Sequence, residues 1–189
     1  MKNKTLLLLL LLAVFNSCIK IDGDFKGLYS YYESTTESNP ELFVKLNSPD
    51  SICTNKSKNN DKIYIVNGTQ LKECLNKSEK SIVYIWGPKC KSDVCFPLEI
   101  IQAFCSKNNL SLFIVSEYYD AETMSSKYDL ERNILAVDTE FYKTNLVANY
   151  INRFMKDIDA SLDRKNVHKY LYFEGDIFVR DYRSIYDYN

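Results

Sequence analysis

The chain has 189 residues, 46% apolar and 26% charged, with 24 Lys and Arg against 25 Asp and Glu, one His, six Cys, five Gly and four Pro. That length is one domain's worth, and the composition is too apolar for a disordered chain and too poor in Gly and Pro for a fibrous one. A net charge of -1 with no basic stripe gives no field for wrapping nucleic acid, so no nucleic-acid partner is expected.

In chain order, Met1 to Thr5 is a short basic start, followed by the leucine run Leu6 to Leu12 and by Ala13, Val14 and Phe15. The apolar run is about half the roughly 20 residues a membrane-spanning helix needs. A basic start before a short apolar core reads as a secretory signal peptide over residues 1–17, set aside from fold reasoning. Phe15-Asn16-Ser17-Cys18 resembles the lipobox of bacterial lipoproteins, in which a small residue precedes the Cys that is acylated and becomes the mature N-terminus. Ser17 fits that pattern, while Phe15 and Asn16 depart from it. The resemblance implies diacylglyceryl and N-acyl (palmitate-type) chains on Cys18. One chain holds a protein only marginally and two or more hold it stably. The implied location is the bacterial cell envelope, membrane-anchored and facing the periplasm or the cell surface.

Residues 18–61 read as a tether and an irregular N-terminal cap. They are rich in Ser, Asn, Asp and Lys, with Asn39-Pro40, Ser48-Pro49-Asp50 and Asn55 to Asn60 as loop signals, and Leu28 to Tyr32 and Leu42 to Leu46 as candidate strands. Residues 62–189 form the regular domain. Ile63 to Val66 is a strand that Asn67-Gly68 ends as a turn, and Thr69 then caps a helix through Lys77. Ser81 to Trp86 is nearly all apolar, as a central strand covered on both faces must be. A loop over Gly87 to Val94 leads to a helix from Phe96 to Lys107 and a strand from Leu110 to Tyr118, where Tyr118-Tyr119 can line a cleft. Asp120 to Tyr128 reads as helix, Ile134 to Val137 as strand and Asn145 to Ile158 as a long helix. Tyr170 to Phe173 and Ile177 to Tyr182 close the chain as a hairpin around Glu174-Gly175-Asp176. This order calls for an α/β sandwich, a central sheet between helices.

Chemistry concentrates at Cys90 and Cys95. If both sat inside one helix, five steps of about 100° would point them about 140° apart and forbid a disulfide. Pro97 is best tolerated in the first turn of a helix, which places the helix start near Cys95 or Phe96, leaves Lys91 to Val94 as loop and makes the disulfide feasible. A helix N-terminus with Lys89 and Lys91 nearby is expected to bring a thiol from about 8.5 toward about 7, a useful range for exchange. A plain stabilising bridge is the competing reading. Cys105 falls on the apolar face of its helix as a core thiol, and Cys53 and Cys74 are available to pair and pin the cap to the first helix.

Trp86 at the end of a central strand, a Cys-bearing loop opening a helix, an Asp-containing strand at Ile134 to Asp138 and a terminal hairpin turning at Gly175 together resemble the thioredoxin-like superfamily, and within it the bacterial envelope redoxins. The resemblance spans about Lys62 to Tyr182 and implies a three-layer sandwich with a mixed central sheet and helices on both faces. Its implied activity is thiol–disulfide exchange with envelope protein thiols or disulfides. Cys90 would be the attacking thiol and Cys95 the resolving one, or the reverse, with Trp86 and Pro88 shaping the site and His168 assisting a thiolate. Two departures stand out. Gly87 falls where the family's first Cys stands, so the pair is Cys-x4-Cys. None of the four prolines (40, 49, 88 and 97) can supply the family's cis-Pro near Val167, and His168 lies close to that position instead. The segment Cys90-Lys91-Ser92-Asp93-Val94-Cys95-Phe96-Pro97 with His168-Lys169-Tyr170-Leu171 is also similar to SCO-type copper-delivery proteins, which implies Cys90, Cys95 and His168 as copper ligands, although the Cys spacing is one residue too long. A redox-inactive binding or structural lipoprotein on the same fold is the further alternative.

Overall fold

The computed structural model describes residues 27–45, 52–53 and 61–188. The signal segment 1–17 and the proposed anchor Cys18 lie outside the described residues. The elements run α1 (Tyr32–Ser38), β1 (Phe43–Lys45), β2 (Ile63–Val66), α2 (Gly68–Leu75), β3 (Lys80–Trp86), α3 (Leu98–Lys107), β4 (Ser111–Ser116), α4 (Ala121–Met124), β5 (Leu135–Val137), α5 (Thr139–Tyr142), α6 (Val147–Ile158), β6 (Tyr170–Glu174) and β7 (Ile177–Tyr182), before a last 3-10 turn at Ile185–Asp187.

Seven strands form one mixed sheet in the order β1-β2-β5-β4-β3-β6-β7. Strands β1 to β5 pair in parallel, while β6 runs antiparallel to β3 and β7 antiparallel to β6. Strand β3 is paired along its length on both sides, with Trp86 opposite Ser116 of β4 and Tyr84 opposite Tyr170 of β6. That position explains its composition, since a strand with neighbours at both edges and helices on both faces has no side that meets water. Its alternate residues feed two cores. Ile82, Tyr84 and Trp86 pack with Leu98, Ile101 and Cys105 of α3 and with Met124 of α4. Val83 and Ile85 pack on the opposite face with Leu71 and Leu75 of α2 and with Tyr150, Ile151 and Phe154 of α6. The protein is therefore an α/β sandwich with helices on both faces of a mixed sheet.

Several boundaries differ from the sequence reading, each for a local reason. Asn67 does not end β2 in a turn. It caps α2 with a capping box, accepting the Gln70 N–H while the Gln70 side chain accepts the Asn67 N–H. Helix α3 starts at Leu98 because Pro97, at φ -52 and ψ 139, is extended and forms the cap. The helix expected over Asp120 to Tyr128 shrinks to the single turn α4, capped by the Asp120 side chain. Asn145 precedes α6 and is not part of it. The preceding short helix α5, capped by Asp138, ends at Lys143 in the left-handed region at φ 52. Leu28 to Tyr32 is not a strand. Its backbone straps the carboxyl end of the sheet, with the Tyr119 N–H donating to Ser30 O, the Ser30 N–H to Asn145 O and the Val147 N–H to Leu28 O, and the chain then turns into α1.

This topology decides where chemistry can occur. The parallel strands β3 and β4 end on the same side, and antiparallel β6 begins there. The loops after Trp86 and Ser116 and before Tyr170 therefore converge at one end of the sheet.

Candidate functional site

At that end Cys90 and Cys95 form a disulfide across a Cα separation of 6.0 Å. The loop is built by two successive turns, the Cys90 N–H donating to Gly87 O and the Cys95 N–H to Ser92 O, each at 2.9 Å. Both cysteines remain partly exposed, while Trp86, Gly87 and Pro88 beneath them are buried. Trp86 packs edge-on against Tyr128 with ring centroids 6.0 Å apart.

Three anchors hold the loop. The Tyr118 hydroxyl accepts the Lys89 N–H at 3.0 Å, so the first tyrosine of the Tyr118-Tyr119 pair does face the site. The Tyr170 hydroxyl donates to Val94 O at 3.1 Å. Burial pushes the Tyr170 phenol up, so it stays protonated and keeps this donor. Its ring stacks on Tyr84 at 4.4 Å, tying the loop to the middle of the sheet. The third anchor is the Lys89 ammonium, which binds Asp120 at 3.0 Å and reaches Glu122 at 3.5 Å. Of the two lysines expected to act on the thiols, Lys89 is thus turned toward two carboxylates. Helix α3 begins three residues after Cys95, and the field of a helix terminus fades within its first turn, so it acts less on Cys90 than on Cys95.

The sequence reading missed Glu117. It lies one residue past β4, with its N–H donating to Trp86 O at 2.7 Å and its backbone carbonyl accepting the Tyr150 hydroxyl. Its carboxylate is nearly buried and pairs with Lys169 at 3.0 Å and Arg164 at 3.4 Å. A Cβ built on Gly87 would meet Glu117 Oε2 at 3.1 Å and stand 3.7 Å from both Cys90 Cβ and Lys169 Nζ. Position 87, where the resembling family carries its first Cys, is therefore occupied from the side by an ion pair. Nothing in local sequence marks Glu117, because its partners lie roughly fifty residues away and meet it only through strand pairing.

His168 is exposed, and its backbone N–H donates to Asp181 Oδ2 at 2.6 Å. It lines a cavity of about 190 Å³ with Ile85, Glu117, Met155, Arg164, Val167 and Lys169. Among the described residues no group of three or more His, Cys, Asp or Glu is placed to hold a metal ion. The two sulfurs are bonded to each other, which leaves no thiolate to bind copper in this form.

The remaining cysteines divide as their surroundings dictate. Cys53 and Cys74 form a second disulfide with a Cα separation of 4.9 Å, and Cys105 is a free, buried thiol that burial pushes up to about 12. No helix among the described residues is long and apolar enough to cross a membrane. In comparisons with family models, curated proteins and solved structures, nothing matches this chain.

Proposed function

We propose that this chain is a bacterial cell-envelope lipoprotein with a thioredoxin-like domain, and that its Cys90–Cys95 pair exchanges thiols and disulfides with envelope proteins. The observation that carries the reading is the partly exposed disulfide at the junction of β3 and α3, at the carboxyl end of a parallel β-α-β unit whose edge is extended by the antiparallel β6–β7 hairpin. A buried structural bridge has no route to a partner, whereas this one lies in a surface loop held by side-chain anchors beneath it.

The chemistry balances without a cofactor. A partner thiolate attacks Cys90 Sγ, the Cys90–Cys95 bond breaks, and Cys95 leaves as a thiolate. The partner's second thiolate then attacks its own sulfur in the mixed disulfide and releases Cys90. Two electrons pass from the partner dithiol, which becomes a disulfide, to the pair, which takes up two protons from solvent. Run backward, reduced Cys90 opens a partner disulfide and Cys95 resolves it.

The test is the reduction potential of the Cys90–Cys95 pair, read in dithiol buffers by alkylation mapping and by the fluorescence of Trp86, the chain's one tryptophan. A potential above about -300 mV is expected, and a value below it marks a structural bridge and overturns the reading. The anchor is tested separately, since Cys18→Ser should move the protein out of the membrane fraction.

A further inference from the structure

The spacing of the pair permits something a shorter loop would not. Four residues separate the cysteines, and one of them brings its side chain alongside both bonded sulfurs. The Ser92 hydroxyl stands 3.4 Å from Cys90 Sγ and 3.3 Å from Cys95 Sγ. Neither sulfur of a disulfide carries a hydrogen, so the hydroxyl is the donor, and with one proton it serves one sulfur at a time. The turn that closes the loop holds it there, since Ser92 O accepts the Cys95 N–H at 2.9 Å.

We propose that Ser92 is a catalytic residue of the pair, donating its hydroxyl hydrogen to whichever sulfur becomes the thiolate during exchange. This rests on the redox reading above and names the group that stabilises its charged intermediate. A disulfide sulfur is a weak acceptor and a thiolate a strong one, so the hydrogen bond strengthens when charge develops and adds little before it. Because Ser92 is nearly equidistant from the two sulfurs, it serves Cys95 as the leaving group in reduction and Cys90 as the attacking group in the reverse direction. The hydroxyl keeps its own proton throughout. It lowers the energy of the thiolate and alters neither the electron count nor the proton count of the exchange.

Other charges face the loop and act on the same sulfurs. Lys89, Lys91 and Asp93 lie on the loop itself, Glu99 lies in the first turn of α3, and Glu117 and Lys169 stand across Gly87. All are retained in the test. Ser92 is exposed and outside both cores, so replacing it leaves the fold intact.

The experiment compares the full chain with Ser92→Ala and Ser92→Thr. Each protein is reduced with excess phosphine and titrated by thiolate absorbance, then reoxidised and reduced with dithiothreitol while the rate is followed. Ser92→Ala is expected to hold about tenfold less thiolate at pH 7, the scale of one hydrogen bond to a charged acceptor. Its reduction slows about threefold, because exchange rates follow thiol acidity with a slope near one half. Ser92→Thr, which keeps the hydroxyl, returns both readings toward the parent. Identical titrations and rates in parent and Ser92→Ala overturn the proposal, and so does a threonine variant no better than alanine. The titration decides this whatever the potential of the pair, so a low potential in the parent refutes the redox reading without deciding the role of Ser92.

Discussion

Among the described glycines Gly68 makes the tightest approach to its neighbours, and Gly68→Ala tests the packing logic directly. It is the first residue of α2, where that helix meets α6. A Cβ there would overlap the carbonyl oxygen of Phe154, lie 2.7 Å from Asp157 Cβ and 3.2 Å from the Phe154 carbonyl carbon. Two of those three atoms are backbone of a buried helix and cannot swing aside, so α2 must lift from α6. Lifting it loosens Leu71 and Leu75 against Phe154 and stretches the bond from the Gly68 N–H to the Tyr142 hydroxyl, 2.9 Å long, whose own proton goes to Asp157. Overpacking of this kind costs up to about 3 kcal/mol. Alanine returns at most about 1 kcal/mol over glycine in a helix, so the net loss is about 2 kcal/mol. For a chain of this size that is a melting temperature lower by roughly 4–8 °C. Urea and thermal unfolding of Gly68→Ala are read against Thr69→Ala, an exposed neighbour in the same turn. A Gly68→Ala protein as stable as the parent would refute the close approach, because helix propensity alone favours the alanine.

Opening the Cys53–Cys74 disulfide, which closes a 21-residue separation, should cost about 3 kcal/mol in urea unfolding of the double serine variant, and a loss under about 1 kcal/mol would show that the bridge does not constrain the unfolded chain. Cys105 gives a pH signature. Burial holds its thiol neutral up to about 12, while in the unfolded chain it ionises from about 9, so the stabilisation is complete below pH 9 and is lost as pH rises toward 12, at about 1.4 kcal/mol per pH unit. Cys105→Ala should flatten that alkaline slope by one proton, and an unchanged slope would place the thiol in contact with water. Glu117→Gln should cost about 1–2 kcal/mol, discounted because Lys169 and Arg164 are each more than a third exposed and can be rehydrated. With its carboxylate gone, Lys169 faces Gly87 and the Cys90 loop uncompensated, and the thiolate fraction of the reduced pair at pH 7 should rise; an unchanged fraction would remove Glu117 from the electrostatics of the site.

Much of this architecture was legible along the chain because it depends on local periodicity. The apolar run Ser81 to Trp86 could only be a strand covered on both faces. The two β-prone runs Tyr170 to Phe173 and Ile177 to Tyr182 on either side of Glu174-Gly175-Asp176 read as a hairpin, and Pro97 kept Cys90 and Cys95 out of the helix that follows. Where local signals competed, the sequence reading erred. Asn67-Gly68 is both a turn signal and a cap followed by a small residue, and the choice fell to α6, whose backbone requires the glycine. Leu28 to Tyr32 has strand-like composition, but the hydrogen bonds it finds are those of a strap across the ends of strands already paired with one another.

Sequence alone determined which segments are buried, where the cysteines of the candidate site lie, and that Cys90 and Cys95 can meet. It carried the Cys90–Cys95 spacing but not its consequence, a loop long enough for Ser92 to reach both sulfurs. Tertiary structure decided the environment of the pair. Lys89 is drawn off to Asp120, Glu117 and Lys169 close over Gly87, His168 faces a neighbouring cavity, and the hydroxyls of Tyr118 and Tyr170 anchor the loop. Those contacts join residues tens of positions apart. Helix and strand periods report only which face of its own element a side chain occupies, so what stands opposite that face is set by strand order and register.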